Sequence, residues 1–185
     1  MKRNIGTGLA LYPTPLVVVG VMANEKPNWV LVGHLGIMGH DRIMVSLAAN
    51  HYTNRWIKEN NILSVNIVSE DILKKADYVG SVSGKDTDKS QVFDYHTGDA
   101  GAPIINDSPV VIECTVDDIY KTPSFESFIL KISNTYADEE VLNENGKIDY
   151  RKLKPVLFEF PTYEYLKTGD VIGKCLKLDE TSAVR

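Results

Sequence analysis

The sequence predicts a mainly β fold, a closed or partly closed antiparallel barrel carrying a few short helices. Apolar, β-branched runs recur at short spacing along most of the 185 residues, the pattern of consecutive antiparallel strands. The long crossover helices that a parallel sheet needs between its strands are missing. With 43% hydrophobic and 24% charged residues the composition is that of an ordinary globular protein, which sets aside extended disorder, collagen and coiled coil. The chain is long enough to bury a full core. It has no repeat, low-complexity tract or linker, so residues 1–185 read as a single domain.

Pro15 to Met22 and Asn28 to Leu35 are apolar and β-branched. Between them Ala23-Asn24-Glu25-Lys26-Pro27 has turn chemistry, so the stretch reads as a hairpin. Asp41 to Ala49 continues as strand, with Ile43, Val45, Leu47 and Ala49 on one face. Met44, Ser46 and Ala48 share the other face, small enough near its end to admit something flat. Thr53 is placed to cap a short helix through Asn60, turning Trp56 and Ile57 inward. Ile62 to Val68 returns to strand. Ser69 is expected to cap a second helix, with Glu70 and Asp71 in its first turn and Ile72, Leu73, Ala76 and Val79 as its apolar stripe.

From Ser81 to Ser108 the periodicity fades into Gly, Ser, Asp and Lys, and so long an irregular segment is a place to look for ligand contacts. Strands resume at Val110 to Val116 and at Phe125 to Thr135, where Phe128, Leu130 and Ile132 share a face. Asn145-Gly146 marks a tight turn. Pro155 to Phe160 adds a strand, followed by Tyr163, Tyr165 and a charged tail.

A net charge of -5 provides no field for phosphate backbones or anionic lipid, so nucleic-acid binding is not expected. No run approaches the ~20 apolar residues of a membrane-spanning helix. Lys2 and Arg3 before the apolar stretch Gly8 to Ala23 imitate a secretion signal, but Pro13 and Pro15 interrupt it and the segment makes a good strand. Cys114 and Cys175 form neither a redox pair nor a zinc spacing, in keeping with a reducing compartment. A cytoplasmic location is the expectation.

Several motifs fail on inspection. Gly80-Ser-Val-Ser-Gly84-Lys85-Asp86 is one residue short of a P-loop, has Asp where a magnesium-binding Ser or Thr belongs, and follows a helix. Gly33-His-Leu-Gly36-Ile-Met-Gly39 has the wrong spacing for a dinucleotide fingerprint and continues a strand. His34, His40, Asp41 and His51 lack the helical spacing that aims two imidazoles at one ion, so no metal is expected. No Gly-x-Ser-x-Gly elbow or cysteine nucleophile setting is present, and no catalytic residue is assigned. A redox cofactor that brings its own chemistry would need none.

The most productive constellation is Ser46-Leu-Ala-Ala-Asn50-His51-Tyr52-Thr53, a strand end running through polar residues into a helix. Free N–H groups at the positive helix end suit a phosphate, with Ser, Asn and Thr as further donors. An ordinary helix cap accounts for the same residues.

In order and spacing the chain resembles the flavin reductase-like family, the FMN-binding split barrels that include flavoredoxin-type proteins. The resemblance runs from Thr14-Pro15-Leu16-Val17 through Ser46 to Thr53 and Leu63-Ser64-Val65-Asn66-Ile67-Val68-Ser69. It continues through Ala76 to Lys89, Ala102-Pro103-Ile104-Ile105 and Glu113-Cys114-Thr115-Val116. The late pieces are Ala137 to Leu142, Lys154-Pro155-Val156-Leu157 and Tyr163-Glu164-Tyr165. It implies an antiparallel split β-barrel of Greek-key type, a homodimer, and FMN near the subunit interface, with some members using FAD.

Carried over by residue, the resemblance puts the flavin phosphate at Ser46, Asn50, His51 and Thr53, with Leu47 and Ala48 beside them. Ser83 and Lys89 reach the flavin from the long loop. His34, Leu35, Gly36, Ile37 and Met38 pass its ring. Here the chain departs from the family's usual Ser-Trp or Ser-Phe followed by Thr, having Gly33-His34-Leu35-Gly36-Ile37 and then His40-Asp41-Arg42. The implied chemistry is hydride transfer from NADH or NADPH to the flavin, whose reduced form backbone N–H groups around Gly36 and the Lys89 ammonium would stabilise. A solvated loop lysine is the other reading of Lys89, and Tyr163 and Tyr165 either cover the flavin or pack the dimer. Two functions stay open: a flavin-dependent oxidoreductase, and a non-enzymatic FMN electron carrier working with a redox partner protein.

Overall fold

The computed structural model describes residues 1–176. After an exposed arm the chain forms β1 (Thr14–Pro15) and then the hairpin β2 (Val17–Ala23) and β3 (Lys26–Val32). The turn is only Asn24-Glu25, both in left-handed backbone at φ 48° and 66°, the two-residue geometry whose twist matches the flanking strands. The expected five-residue turn is therefore shorter. Pro27 lies inside β3, which it tolerates because β3 is an edge strand.

There follow β4 (Leu35–Ile37), β5 (Arg42–Ala48), α1 (Tyr52–Asn60), β6 (Ile62–Ile67) and α2 (Leu73–Ser81). The segment expected to be irregular contains a small hairpin, β7 (Tyr95–Thr97) and β8 (Pro103–Ile105). The long hairpin β9 (Val110–Lys121) and β10 (Phe125–Ala137) comes next, and a 3-10 turn at Glu139–Val141 precedes α3 (Tyr150–Leu153). The last strands are β11 (Leu157–Glu159) and β12 (Glu164–Leu166). The charged tail continues beyond Leu176, outside the described residues.

Seven strands form one antiparallel sheet in the order β3-β2-β6-β9-β10-β5-β4, curled into a half-barrel whose end strands β3 and β4 do not pair. This is the predicted antiparallel split β-barrel. Its interior holds Val17, Val19 and Val21 of β2, Val30 and Val32 of β3, Val45 and Leu47 of β5, and Phe128 and Leu130 of β10. Trp56 and Ile57 of α1 pack onto this core, as their spacing predicts.

The other face of β2 and β3 is covered as well. Leu16, Val18 and Trp29 meet Ile72, Ala76 and Val79 from α2, Phe93 and Ile105 from the long loop, and Val156. Burial on both faces explains why β2 reads as a continuous apolar run instead of an alternating one. Ser69 does not cap α2: the helix opens at Leu73 after Ile72, with Glu70 and Asp71 in the turn before it. The chain stays extended through Val68, whose N–H and carbonyl bond Leu16 and Val156, so the helix cannot begin until Ile72 has reached the second core.

A buried carboxylate organises the loop between β7 and β8. Glu113 of β9 accepts hydrogen bonds from the Ala100 and Ala102 amides, Asn134 Nδ2 and the Tyr136 hydroxyl at 2.8–3.0 Å. Burial works to raise its pKa, but these four donors outweigh it and hold the carboxyl below its usual range. No helix among the described residues is long and apolar enough to cross a membrane.

Candidate functional site

Two clefts open side by side where β3 leads into β4 and β5 leads into α1. One, of about 280 Å³, lies at the N-terminus of α1 and includes Val30, Asn50, His51, Thr53, Ser83 and Lys89. The other, of about 380 Å³, includes Leu9, Tyr12, His34, Leu35, Met44, Ser46 and Phe125. Ser46 and Asn50 are four residues apart, at most about 13 Å at the rise of a strand.

The first cleft is built around a buried cation. Lys89 is 4% exposed, and its ammonium donates to the carbonyls of Trp29 at 3.0 Å and Val79 at 2.7 Å. It has no carboxylate partner among the described salt bridges. Burial lowers its pKa to about 8. His51 is also pushed down, first by burial and then by the Lys89 charge. Two nitrogen bases of suppressed charge thus face one cavity beside the free amides that open α1, an arrangement that an anion relieves.

Thr53 is not the cap of α1. His51 holds that position with extended backbone, φ -65° and ψ 130°, and makes no side-chain capping bond. Thr53 lies two residues into the helix because its Oγ1 accepts a 2.9 Å bond from Asn28 Nδ2 on β3, leaving its own proton to donate toward the cleft. Ser83 is exposed on the facing loop, where its Oγ accepts from the Lys85 amide. Lys89 is no solvated loop lysine.

The second cleft has apolar walls and few polar groups. The Tyr12 hydroxyl and His34 Nε2 are 2.9 Å apart, and the imidazole stands edge-on to Phe125, with Phe160 tilted beside it. Burial raises the Tyr12 pKa and lowers that of His34, so both are held neutral. Ser46 Oγ lies 2.7 Å from Ser127 Oγ on the neighbouring β10.

The predicted residues therefore divide. Asn50, His51, Thr53, Ser83 and Lys89 meet in one cleft, and His34, Leu35 and Ser46 meet in the other. Leu47 points into the barrel core, so only its backbone is available, and the Ala48 carbonyl is engaged by the His51 amide and Asn54 Nδ2. Gly36 pairs with Met44. Ile37 and Met38 are exposed on the β4 edge and outside both clefts, because only three residues of β4 are paired before the chain turns away. Tyr163 and Tyr165 pack within their own chain against Phe158, and the Tyr165 hydroxyl donates to Asp77 of α2 at 2.6 Å.

Sequence reasoning missed Asn28, Tyr12, Met44 and Phe125. The face Met44-Ser46-Ala48 did point to one of them. The others come from segments whose local pattern describes a strand or an arm and not a site. Among the described residues no three His, Cys, Asp or Glu side chains are grouped to hold a metal ion.

The fold and the two clefts define an antiparallel split-barrel protein with a polar cleft at a helix N-terminus and an apolar cleft beside it. The Flavin reductase like domain model matches residues 9–167, and the chain belongs to that family. It is similar to flavoredoxin from Methanosarcina acetivorans at 31% identity and TM-score 0.91, covering 98% of each chain. It is also similar to flavoredoxin of Desulfovibrio vulgaris (Miyazaki F) at 31% identity and TM-score 0.88, covering 96% of this chain and 98% of that one. An FMN-binding protein from Thermus thermophilus shares the fold at 18% identity and TM-score 0.81, with 94% and 100% covered. No curated protein matches the chain.

Proposed function

We propose that the chain is a single-domain FMN-binding oxidoreductase that passes reducing equivalents from NADH or NADPH to the flavin or a downstream acceptor. The observation that carries this reading is the buried Lys89 ammonium, which has no carboxylate partner among the described residues and lines the cleft at the N-terminus of α1. A flavin phosphate there accepts from Lys89, Thr53 and the first amides of α1, with Asn50, His51 and Ser83 around it. The ribityl arm then follows the end of β5, and the ring lies against Leu35, Gly36, Met44 and Ser46. FMN supplies the electron chemistry, and the protein binds and orients it and excludes water.

The likeness to flavoredoxins and to an FMN-binding protein supports FMN as the cofactor. FAD is accommodated if its adenylate half passes Tyr52 and Gly84 into the adjoining polar cleft, which includes Lys26 and Lys85. We also propose a cytoplasmic homodimer.

Purified protein titrated with FMN should turn yellow and bind it stoichiometrically, and absence of binding would overturn the assignment. Stopped-flow mixing with NADH and with NADPH then distinguishes a reductase from an electron carrier that works between partner proteins. One observation favours the carrier: among the described residues the apolar cleft is lined by no Lys or Arg to hold a nicotinamide nucleotide's phosphates.

A further inference from the structure

Resting on the FMN reading, we propose that the Tyr12–His34 pair makes the apolar cleft a subsite for a neutral quinone as electron acceptor, held through one carbonyl by the Tyr12 hydroxyl. Family resemblance does not provide this pair, since His34 stands where the chain departs from the usual pattern. The argument is one of chemistry and placement. Leu9, Leu11, Leu35, Met44 and Phe125 give the cleft apolar walls, and among the described residues no Lys, Arg, Asp or Glu lines it. With the flavin ring against Leu35, Met44 and Ser46, the side of the cleft formed by Leu9, Tyr12 and Phe125 is left for a second flat molecule, and its apolar walls disfavour a charged one.

The pair is the polar feature able to select among such molecules. Ser46 is engaged with Ser127, and the Thr14 hydroxyl donates to the Gly33 carbonyl at 2.7 Å. Tyr12, by contrast, can donate into the cleft while accepting from His34 Nε2, since a phenol oxygen does both. Gly33, just before His34, packs where any Cβ would strike the Phe158 ring. Tyr12, Phe125 and Phe160 then confine the imidazole.

Reduction of a quinone needs a hydride and a proton. Bound FMN in its anionic reduced form would supply the hydride to one quinone oxygen and be left as the neutral oxidised flavin. The other oxygen takes the Tyr12 proton. His34 returns the Nε2 proton to Tyr12 as Nδ1 takes one from a water molecule, which leaves as hydroxide, so the imidazole ends neutral with its proton on the other nitrogen. Flavin is oxidised, quinone becomes hydroquinone, and both protein groups end uncharged.

Menadione, a neutral naphthoquinone, is the probe. In oxidised FMN-loaded protein, which cannot reduce it, menadione should bind saturably and shift the His34 ring resonances in NMR. Tyr12→Phe should weaken that binding about tenfold, the loss of one hydrogen bond. His34→Gln should leave menadione binding near wild type while slowing its reduction by pre-reduced protein on the order of a hundredfold. That split between binding and rate is one a merely structural role would not produce. Menadione that leaves His34 unmoved, or binds Tyr12→Phe as well as wild type, overturns the proposal while FMN binding stands. If FMN fails to bind, the cofactor reading and the reduction step fall together, and a menadione-induced His34 shift in flavin-free protein would show that the binding subsite survives them.

Discussion

Asn28 Nδ2 donates to Thr53 Oγ1 at 2.9 Å, joining the edge strand β3 to the first turn of α1. Both side chains are buried, 5% and 3% exposed, so each needs the other. The bond fixes the helix N-terminus relative to the barrel, and with it the direction in which the free amides face.

Changing Thr53 to Ala should therefore act twice. Losing the acceptor of a buried Asn28 amide costs about 1–3 kcal/mol of flavin-free stability. Losing a charge-assisted bond to the phosphate costs roughly 1.5–3 kcal/mol of FMN affinity, about ten- to a hundredfold. Thr53→Ser keeps the hydroxyl and should lose little. Urea unfolding and fluorescence titration on both variants check this, and unchanged FMN affinity in Thr53→Ala would remove the residue from the site.

FMN affinity should fall as pH rises. With its pKa lowered to about 8 by burial, Lys89 in the flavin-free protein is charged below that value and neutral above it. A bound phosphate favours the charged form, so above pH 8 affinity should drop by up to about tenfold per pH unit. Riboflavin, without the phosphate, should show no such slope, and Lys89→Met should bring FMN down to the affinity of riboflavin. The sign for stability is opposite. Between about 8 and the ordinary lysine value of 10.5 the unfolded chain holds more protons at Lys89 than the folded one, so this residue's contribution to stability rises with pH across that window.

Glu113→Gln should destabilise the protein by about 2–4 kcal/mol, because an amide N–H₂ would then face donors that a carboxylate accepts. With the Glu113 pKa held below its ordinary 4.5, its stabilisation is complete above that value and is lost as pH falls through the lower folded one. Wild type should show this acid limb in urea unfolding between pH 7 and 3. An unchanged limb in Glu113→Gln would assign it to other carboxylates.

Light scattering should return the mass of a dimer at micromolar concentration. Ile37 is 86% exposed on the short edge strand β4, beside exposed Met38, and such an edge is normally covered or charged. Ile37→Asp should shift the protein toward monomer. A wild-type monomer would refute the assembly, and a dimer indifferent to Ile37→Asp would place the interface elsewhere.

Properties that live within a few residues were readable without coordinates. The alternation of Ile43, Val45 and Leu47 revealed which face of β5 lines the barrel, and the unbroken apolar run of β2 reflected burial on both sides. Trp56 and Ile57 turn inward as their spacing demands. The polar junction from Ser46 to Thr53 marked the region of the polar cleft at the start of α1, since a strand end and a helix start adjoin along the chain.

Only the tertiary structure decided how each of those residues is used. Asn28 is 25 positions from Thr53, Tyr12 is 22 from His34, and Lys89 is 60 from the Trp29 carbonyl it bonds. Asp118 looks like a loop residue yet lies within β9 and pairs with Ile129 of β10, because ladder bonds depend on backbone groups and not on apolar side chains, while Asp117 is the extra residue where the register shifts. Helix starts moved for a related reason: a capping side chain competes with whatever partner the fold delivers, and Thr53 met Asn28 first. Periodicity is a local property encoded residue by residue, whereas the partner of a buried polar group is set by how the sheet curls, and no short stretch of the chain contains that information.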